Sequence, residues 1–292
     1  MVVVPRSISI VIPVLISSVD GRDLLDVQLE ALAAQDHIGP IEVIIADNGS
    51  PEFLRQYING HRLRDRLKLK WVYAAQHPGA AHARNVGAAA ATGEILLFCD
   101  HDDRAYPSWV RRLVEFLDEG YDLVCSAVEG RTLNVDNPRA VAEVPPPERF
   151  QPEGVFAPVL VTTSLAVRAD IYRKLDGMDI TYAANEDVEF GWRAHVAGYR
   201  TGFLPEALMA YRYRPGFAPG FRQGRSRGIG LARLNANFPD NGLPEIRLRE
   251  LLVRMGSIAT ARGLVDEERG LLLGLAVGQL RGGFRHRTLR FN

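Results

Sequence analysis

The sequence predicts one α/β domain built on a largely parallel sheet and followed by a helical region. Three observations lead to that class. Short runs rich in Ile and Val alternate with helical patterns up to about residue 213. Two of the runs end in acidic clusters, at the strand ends where an open parallel sheet places its ligands. Beyond Pro215 only helical spacing remains.

Residues 7–14 (SISIVIPV) are rich in β-branched side chains and end beside a proline, the pattern of a buried strand that stops at a loop. Leu24, Leu25, Val27, Leu29, Leu32 and Ala33 give the next segment a helical apolar face. Residues 41–46 form a second strand, and strand, helix, strand in succession predicts a right-handed crossover. Residues 67–74 read as a third strand, 80–91 as an alanine-rich helix closed by Gly93, and 94–99 as a fourth strand. A helix over 107–117 has proline in its first turn, and residues 122–127 are strand again. The pattern breaks over 134–154, where Pro145, Pro146 and Pro147 oppose regular structure and the length suits a functional lid. Residues 162–168 resume as strand, 186–196 as helix and 207–213 as a short strand.

With 292 residues, 47% hydrophobic and 24% charged, the chain can bury one large core or two modest ones. Its 35 Lys and Arg balance 35 Asp and Glu, so no global field draws it to nucleic acid, and small-molecule chemistry is expected. The two cysteines, Cys99 and Cys125, fall on predicted strands, which suits buried thiols and a cytoplasmic, reducing compartment. The opening MVVVPRSISIVIPVLIS is interrupted by Pro5, Arg6 and Pro13 and lacks a basic start and a small-residue cleavage site, so it reads as a strand. No stretch reaches the roughly 18 apolar residues of a membrane span; the nearest is 271–277.

The second strand runs into Asp47, Asn48, Gly49 and Ser50, and the fourth into Asp100, His101, Asp102 and Asp103. In an extended segment Asp100 and Asp102 point the same way and can share one hard cation, while His101 points the opposite way, packed or solvated. A helix cap and a solvated turn would explain Asp-x-Asp alone at least as well.

The ordered blocks ISIVIPV, IIADNGS, GAAHARNVGAAAATGEILLFCDHDD and NEDVEFGWRAHVAGYR, spread over residues 7–200, together resemble the signature of family 2 glycosyltransferases. The resemblance implies the GT-A fold, a Rossmann-like sheet flanked by helices with a nucleotide-sugar bound at the strand ends. It implies a catalytic domain over 1–215, with a nucleotide-binding half to about 104 and an acceptor-binding half over 105–215, and a helical extension over 216–292. The activity implied is metal-assisted transfer of a sugar from a nucleoside diphosphate to an acceptor hydroxyl, by single displacement with inversion.

By the same resemblance Pro13 and Val14 lie against the nucleoside and Asp47 contacts the base. Arg84 and Asn85, from the Arg-Asn-x-Gly block, lie near base and diphosphate, although a surface arginine on a helix is the bland alternative. Asp100 reaches the ribose or the metal, Asp102 ligates Mg²⁺ or Mn²⁺, and His101 is retained among the nucleotide-sugar contacts. The ion offsets the charge left on the departing diphosphate, and oxygen ligands favour these two metals.

Asn185, Glu186 and Asp187 precede the helix that carries Trp192 and His195. The resemblance makes Asp187 the base that removes the acceptor proton, with Glu186 helping to hold the acceptor. Adjacent carboxylates at a desolvated site also raise one pKa towards neutrality. The helix dipole alone would favour the same acids there.

Two departures from the family pattern stand out. A late histidine near the metal is replaced by Ala210, Tyr211, Arg212, Tyr213 and Arg214, and the usual Gly-Gly before the Glu-Asp block is Asp176-Gly177. Phe221, Arg222, Gln223, Gly224 and Arg225 resemble a basic segment that contacts diphosphate or acceptor, and a solvated helix face explains them almost equally well. Family habit favours a UDP-sugar donor, with dTDP and GDP open, and a glycan, lipid-linked or small-molecule acceptor.

Leu248, Leu251, Leu252, Met255, Ile258 and Ala259 make one apolar helix face. With the terminal RGGFRHRTLRFN it fits packing or a homodimer ahead of peripheral membrane contact. A nucleotidyltransferase would want a Gly-rich phosphate loop after the first strand, which VIPVLISSVDG lacks. Retention of Asp102, Glu186 and Asp187 argues against an inactive nucleotide-sugar-binding or scaffold protein of the same fold, although such a protein could keep all three and only turnover separates the two.

Overall fold

The computed structural model of the chain describes residues 6–137 and 151–291. Strand β1 (Ile8–Val14) is buried throughout and leads through α1 (Val19–Ala33) to β2 (Ile41–Asp47). Two short helices, α2 (Phe53–Asn59) and α3 (Arg64–Leu67), precede β3 (Lys70–Tyr73), and α4 (Ala80–Ala89) precedes β4 (Ile95–Phe98). Then come β5 (Arg104–Ala105), α5 (Trp109–Asp118) and β6 (Leu123–Glu129). A 3₁₀ turn (Thr162–Ser164) opens β7 (Leu165–Arg168), followed by α6 (Ala169–Lys174), α7 (Glu186–Val196) and β8 (Thr201–Ala210). The C-terminal region holds α8 (Phe217–Asn237), β9 (Ile246–Arg247), α9 (Leu248–Thr260), α10 (Asp266–His286) and β10 (Leu289–Arg290).

Eight strands form one sheet in the order β3-β2-β1-β4-β7-β6-β8-β5. Its first half is parallel, as predicted; β7 runs antiparallel to both neighbours, and β5 antiparallel to β8. Ile8, Ile10, Ile12 and Val14 pack with Leu25, Leu29 and Leu32 of α1 on one face, while Val11 packs with Ala81 and Ala88 of α4 on the other. Burial on both faces explains why β1 shows no polar alternation. Gly87 lets α4 sit close on the sheet, since a Cβ there would overlap Val11 Cγ1.

Some expected boundaries move. Arg64–Leu67 winds into a helical turn ended by Lys68 at φ +46°, so the third strand starts only at Lys70. The strand expected over 207–213 is the end of the longer β8, and residues 211–213 leave the sheet. Of the segment proposed as a lid, residues 138–150, including the proline run, lie outside the described residues.

α8 and α10 pack through glycines. A Cβ on Gly220, Gly224 or Gly228 would overlap the carbonyl oxygen of Glu267, Leu271 or Leu275, and one on Gly270, Gly274 or Gly278 that of Phe217, Phe221 or Arg225. The apolar face expected on α9 is only partly covered: Leu251 and Ile258 are buried, whereas Leu252 and Ala259 are exposed. No helix among the described residues is long and apolar enough to cross a membrane. Cys99 and Cys125 are free and buried, and burial raises both thiol pKa values, that of Cys125 to about 12.

Candidate active site

Two clefts adjoin at the carboxyl ends of the parallel strands and share Asp100 and Arg214. The first, of about 600 Å³, is bounded by Pro13, Val14 and Leu15 after β1, by Gly79, Ala83 and Arg84 at α4, and by Asp100, His101 and Asp102 after β4. The second, of about 640 Å³, is bounded by Thr162 and Thr163, by Asn185, Glu186 and Asp187 at α7, and by one face of α8.

Asp47 lies beneath the first cleft rather than on its surface. Its Oδ1 accepts from the Gly49 and Ser50 amides at 3.1 and 2.7 Å, and its Oδ2 from Trp71 Nε1 at 3.0 Å. The cleft is met instead by Asn48, whose amide nitrogen donates to the Ala74 and His77 carbonyls and whose Oδ1 accepts from Gly79 N at 2.8 Å. Those bonds fix the edge formed by residues 74–79.

Arg84 is not a surface arginine. Its side chain is 4% exposed; Nη2 donates to Asp100 Oδ1 at 2.8 Å and Nη1 to Glu186 Oε1 at 2.7 Å. Burial opposes its charge, but Asp100, Glu186 and Asp187 outweigh that effect and raise its pKa. Asn85 turns away from both clefts. It donates to Met178 O at 2.8 Å, and its Oδ1 accepts from Met178 N and Tyr172 Oη.

Residues 101–103 form a turn, so the alternation of an extended strand does not apply and His101 faces the same cleft as Asp100 and Asp102. The Asp102 carboxylate makes no hydrogen bond or ion pair among the described residues, while its carbonyl accepts from Arg212 Nε at 3.0 Å. Asp103 is buried below, with Oδ1 accepting from Arg212 N at 2.8 Å and Oδ2 unpartnered among the described residues. Burial, then the charges of Asp100 and Asp102, push its pKa well up. Where a late histidine was expected, Arg212 ties this turn from below and Arg214 borders both clefts.

Glu186 and Asp187 begin α7 after Asn185, which holds the left-handed conformation at φ +68° that asparagine tolerates better than most residues. Thr162 orients Asp187, its amide donating to Oδ2 at 3.1 Å. Burial and the neighbouring Asp187 raise the Glu186 pKa against the pull of Arg84, the shift expected for one acid of the pair. Asp176 and Gly177 are both left-handed, at φ +55° and +68°, which explains why glycine suits that pair. Gly177 also abuts Asn85, and its carbonyl accepts from Arg193 at 2.7 Å.

Sequence reasoning gave Thr162 and Thr163 no individual role and missed the glycines that seat α8. Glycine at every fourth position in 220–228 and 270–278 was the available signal. Among the described residues, no group of three or more His, Cys, Asp or Glu is arranged to hold a metal.

A family model described as Glycosyl transferase family 2 matches residues 9–176, from β1 to the turn before α7. The pre-mycofactocin glycosyltransferase of Mycobacterium tuberculosis is 26% identical over 98% of this chain, which spans 58% of that relative's length. Among solved structures, S. aureus TarS 1–349 in complex with UDP-GlcNAc superposes with a TM-score of 0.54 at 18% identity, over 97% of this chain and 92% of that one. The mannosyltransferase PcManGT of Pyrobaculum calidifontis, in complex with GDP-Man and Mn²⁺, gives 0.59 at 18% identity, over 97% and 72%. At that identity the likeness establishes the fold, an α/β sheet flanked by helices with a helical C-terminal region.

Proposed function

The chain belongs to glycosyl transferase family 2, has the GT-A fold, and we propose that it transfers a sugar from a nucleoside diphosphate to an acceptor hydroxyl by one displacement with inversion. The observation that carries this reading is the pair of adjoining clefts. Asp102 borders one and Asp187 the other, with Asp100 and Arg214 between them. A donor in the first cleft and an acceptor in the second would meet at that shared wall, with the base on the acceptor side.

Pro13, Val14 and the exposed Leu15 offer an apolar surface to the nucleoside. Asp47 is spent on its own turn and on Trp71, so we assign it to shaping the base-binding edge and assign the polar contact there to Asn48. His101 and Arg84 complete the donor side, and Asn85 holds the turn before α7. Asp187, oriented by Thr162, takes the acceptor proton, and Glu186 helps hold the acceptor. The nucleotide-binding half then runs to about residue 104 and the acceptor half over 105–215, with the helical region from 216 lending α8 to the acceptor cleft.

The residues fit a divalent ion completed by substrate. Asp102 offers a carboxylate with no protein partner among the described residues, whereas Asp100 is already neutralised by Arg84. One or two carboxylates plus substrate phosphates is the usual environment of Mg²⁺, and Mn²⁺ accepts the same hard ligands. When bound, such an ion offsets charge on the departing diphosphate. The PcManGT structure is a complex with both GDP-Man and Mn²⁺.

UDP is the expected nucleotide, ahead of dTDP and GDP. A thermal-shift screen of UDP, dTDP, GDP and CMP with and without Mn²⁺ tests this, because a ligand of the folded state raises apparent stability. Stabilisation by one diphosphate only with metal supports the reading; stabilisation by none of them removes it.

A further inference from the structure

The second cleft contains an arginine wall that the transfer reaction itself does not require. α8 presents Arg222, Gln223, Ser226 and Arg227 to the cleft, and Arg214 enters from the segment before the helix. Positions 222 and 226, like 223 and 227, are one turn apart, so they share a helix face. Arg214, Arg222 and Arg227 make no hydrogen bond or ion pair among the described residues, although Asp100, Glu186 and Asp187 border the same space. Several other arginines near acids are paired: Arg84 with Glu186, Arg112 with Glu206, Arg193 with Glu189 and Arg233 with Asp179. The arginine face is also held in place, because the opposite side of α8 is glycine seated on the α10 backbone.

We infer that the acceptor carries an anionic group, a phosphate or a carboxylate, which Arg222 and Arg227 bind while the acceptor hydroxyl faces Asp187. This rests on the donor and acceptor assignment above. Unneutralised guanidinium groups in one cleft repel each other, and an anion between them relieves that repulsion and matches their planar forks. Arg214 borders both clefts and is shared with the donor diphosphate; Arg222 and Arg227 border only the acceptor cleft. Arg222 and Arg227 are both exposed, open to a ligand that enters this cleft.

The test uses the full chain saturated with its nucleoside diphosphate and Mn²⁺, so that the first cleft is filled. Glycerol 3-phosphate, glycerate and glycerol are titrated as probes by calorimetry and thermal shift. The two anions are expected to bind and glycerol not to, with affinity falling as salt rises. The stronger of the two anions distinguishes phosphate from carboxylate. R222Q/R227Q should weaken anion binding about tenfold or more and leave the nucleotide shift intact. R281Q, at an exposed α10 position bordering neither cleft, should change neither. Equal binding of glycerol, equal loss in R281Q, or loss of the nucleotide shift in R222Q/R227Q overturns the inference. Anion binding through Arg222 and Arg227 in a protein that binds no nucleotide would sustain the anion site and remove the donor assignment instead.

Discussion

Arg84 and Glu186, 102 positions apart in sequence, meet at 2.7 Å inside the protein, and the same guanidinium holds Asp100 at 2.8 Å. One buried side chain thereby sets the distance between the end of β4 and the start of α7. The two proposed half-sites are linked through it, so donor side and acceptor side are held in fixed relation before any substrate arrives.

Removing that link should be costly. Arg84→Gln leaves two carboxylates without their counter-charge, and breaking a buried pair this way costs about 3 kcal/mol or more. Arg84→Lys keeps the charge but cannot span both acids as a fork, so its loss should be smaller while turnover still falls. Urea denaturation of the two variants measures the difference; equal stability to the parent would remove the linking role.

The rate profile should fall at acidic pH with a limb above the ordinary carboxylate range. Burial and Asp187 raise the Glu186 pKa, and the pair must be ionised both to accept a proton and to keep Arg84 engaged. Activity is therefore present above that raised pKa and lost as pH falls through it. Arg84→Gln removes an opposing influence and should move the limb further up. A profile flat through the weakly acidic range would contradict the assignment.

Glu42 provides a separate pH signature, in stability. Ser9 Oγ, Thr92 N and Thr92 Oγ1 donate to its Oε1 at 2.5, 2.7 and 2.8 Å, and Lys70 pairs with Oε2. Burial alone would raise its pKa, but Lys70, Ser9 and Thr92 together hold it at about 2 against an ordinary 4.5. The folded value is depressed, so the contribution is complete above pH 4.5 and is lost as pH falls to about 2. It amounts to about 3 kcal/mol. Glu42→Gln should flatten that part of the stability curve, read by denaturation at stepped pH.

Gly224→Ala should destabilise the chain by about 1–3 kcal/mol, because its new methyl overlaps the Leu271 carbonyl and forces α8 from α10. The same displacement shifts Arg222 and Arg227, so anion binding should weaken alongside the drop in melting temperature. Gly256→Ala on exposed α9, where a Cβ meets nothing within 4 Å, is the control and should not destabilise.

The parallel half of the sheet was legible in the sequence because β1, β2 and β4 are buried on both faces, which leaves an unbroken apolar signal. Antiparallel β7 was not, since direction leaves no mark on so short a run. The acidic clusters were found at the right strand ends, but their side-chain directions were not. A turn at 101–103 brings His101 to the cleft, and Asp47 is consumed by its own turn. The surface alternative for Arg84 falls because its acids come from positions 100 and 186, contacts that helix periodicity cannot show. The α8 and α10 pairing was written as glycine at every fourth position, a pattern overlooked when only apolar faces were counted.

The division of labour between the clefts is tested most directly by comparing Asp102→Ala with Asp187→Asn in one set of titrations. Binding of the stabilising nucleoside diphosphate is measured with and without Mn²⁺, together with release of free diphosphate from the matching sugar donor. Asp102→Ala should lose the metal-dependent part of binding, whereas Asp187→Asn should bind as the parent does and release almost nothing. Metal-dependent binding that survives in Asp102→Ala, or full release by Asp187→Asn, would contradict it.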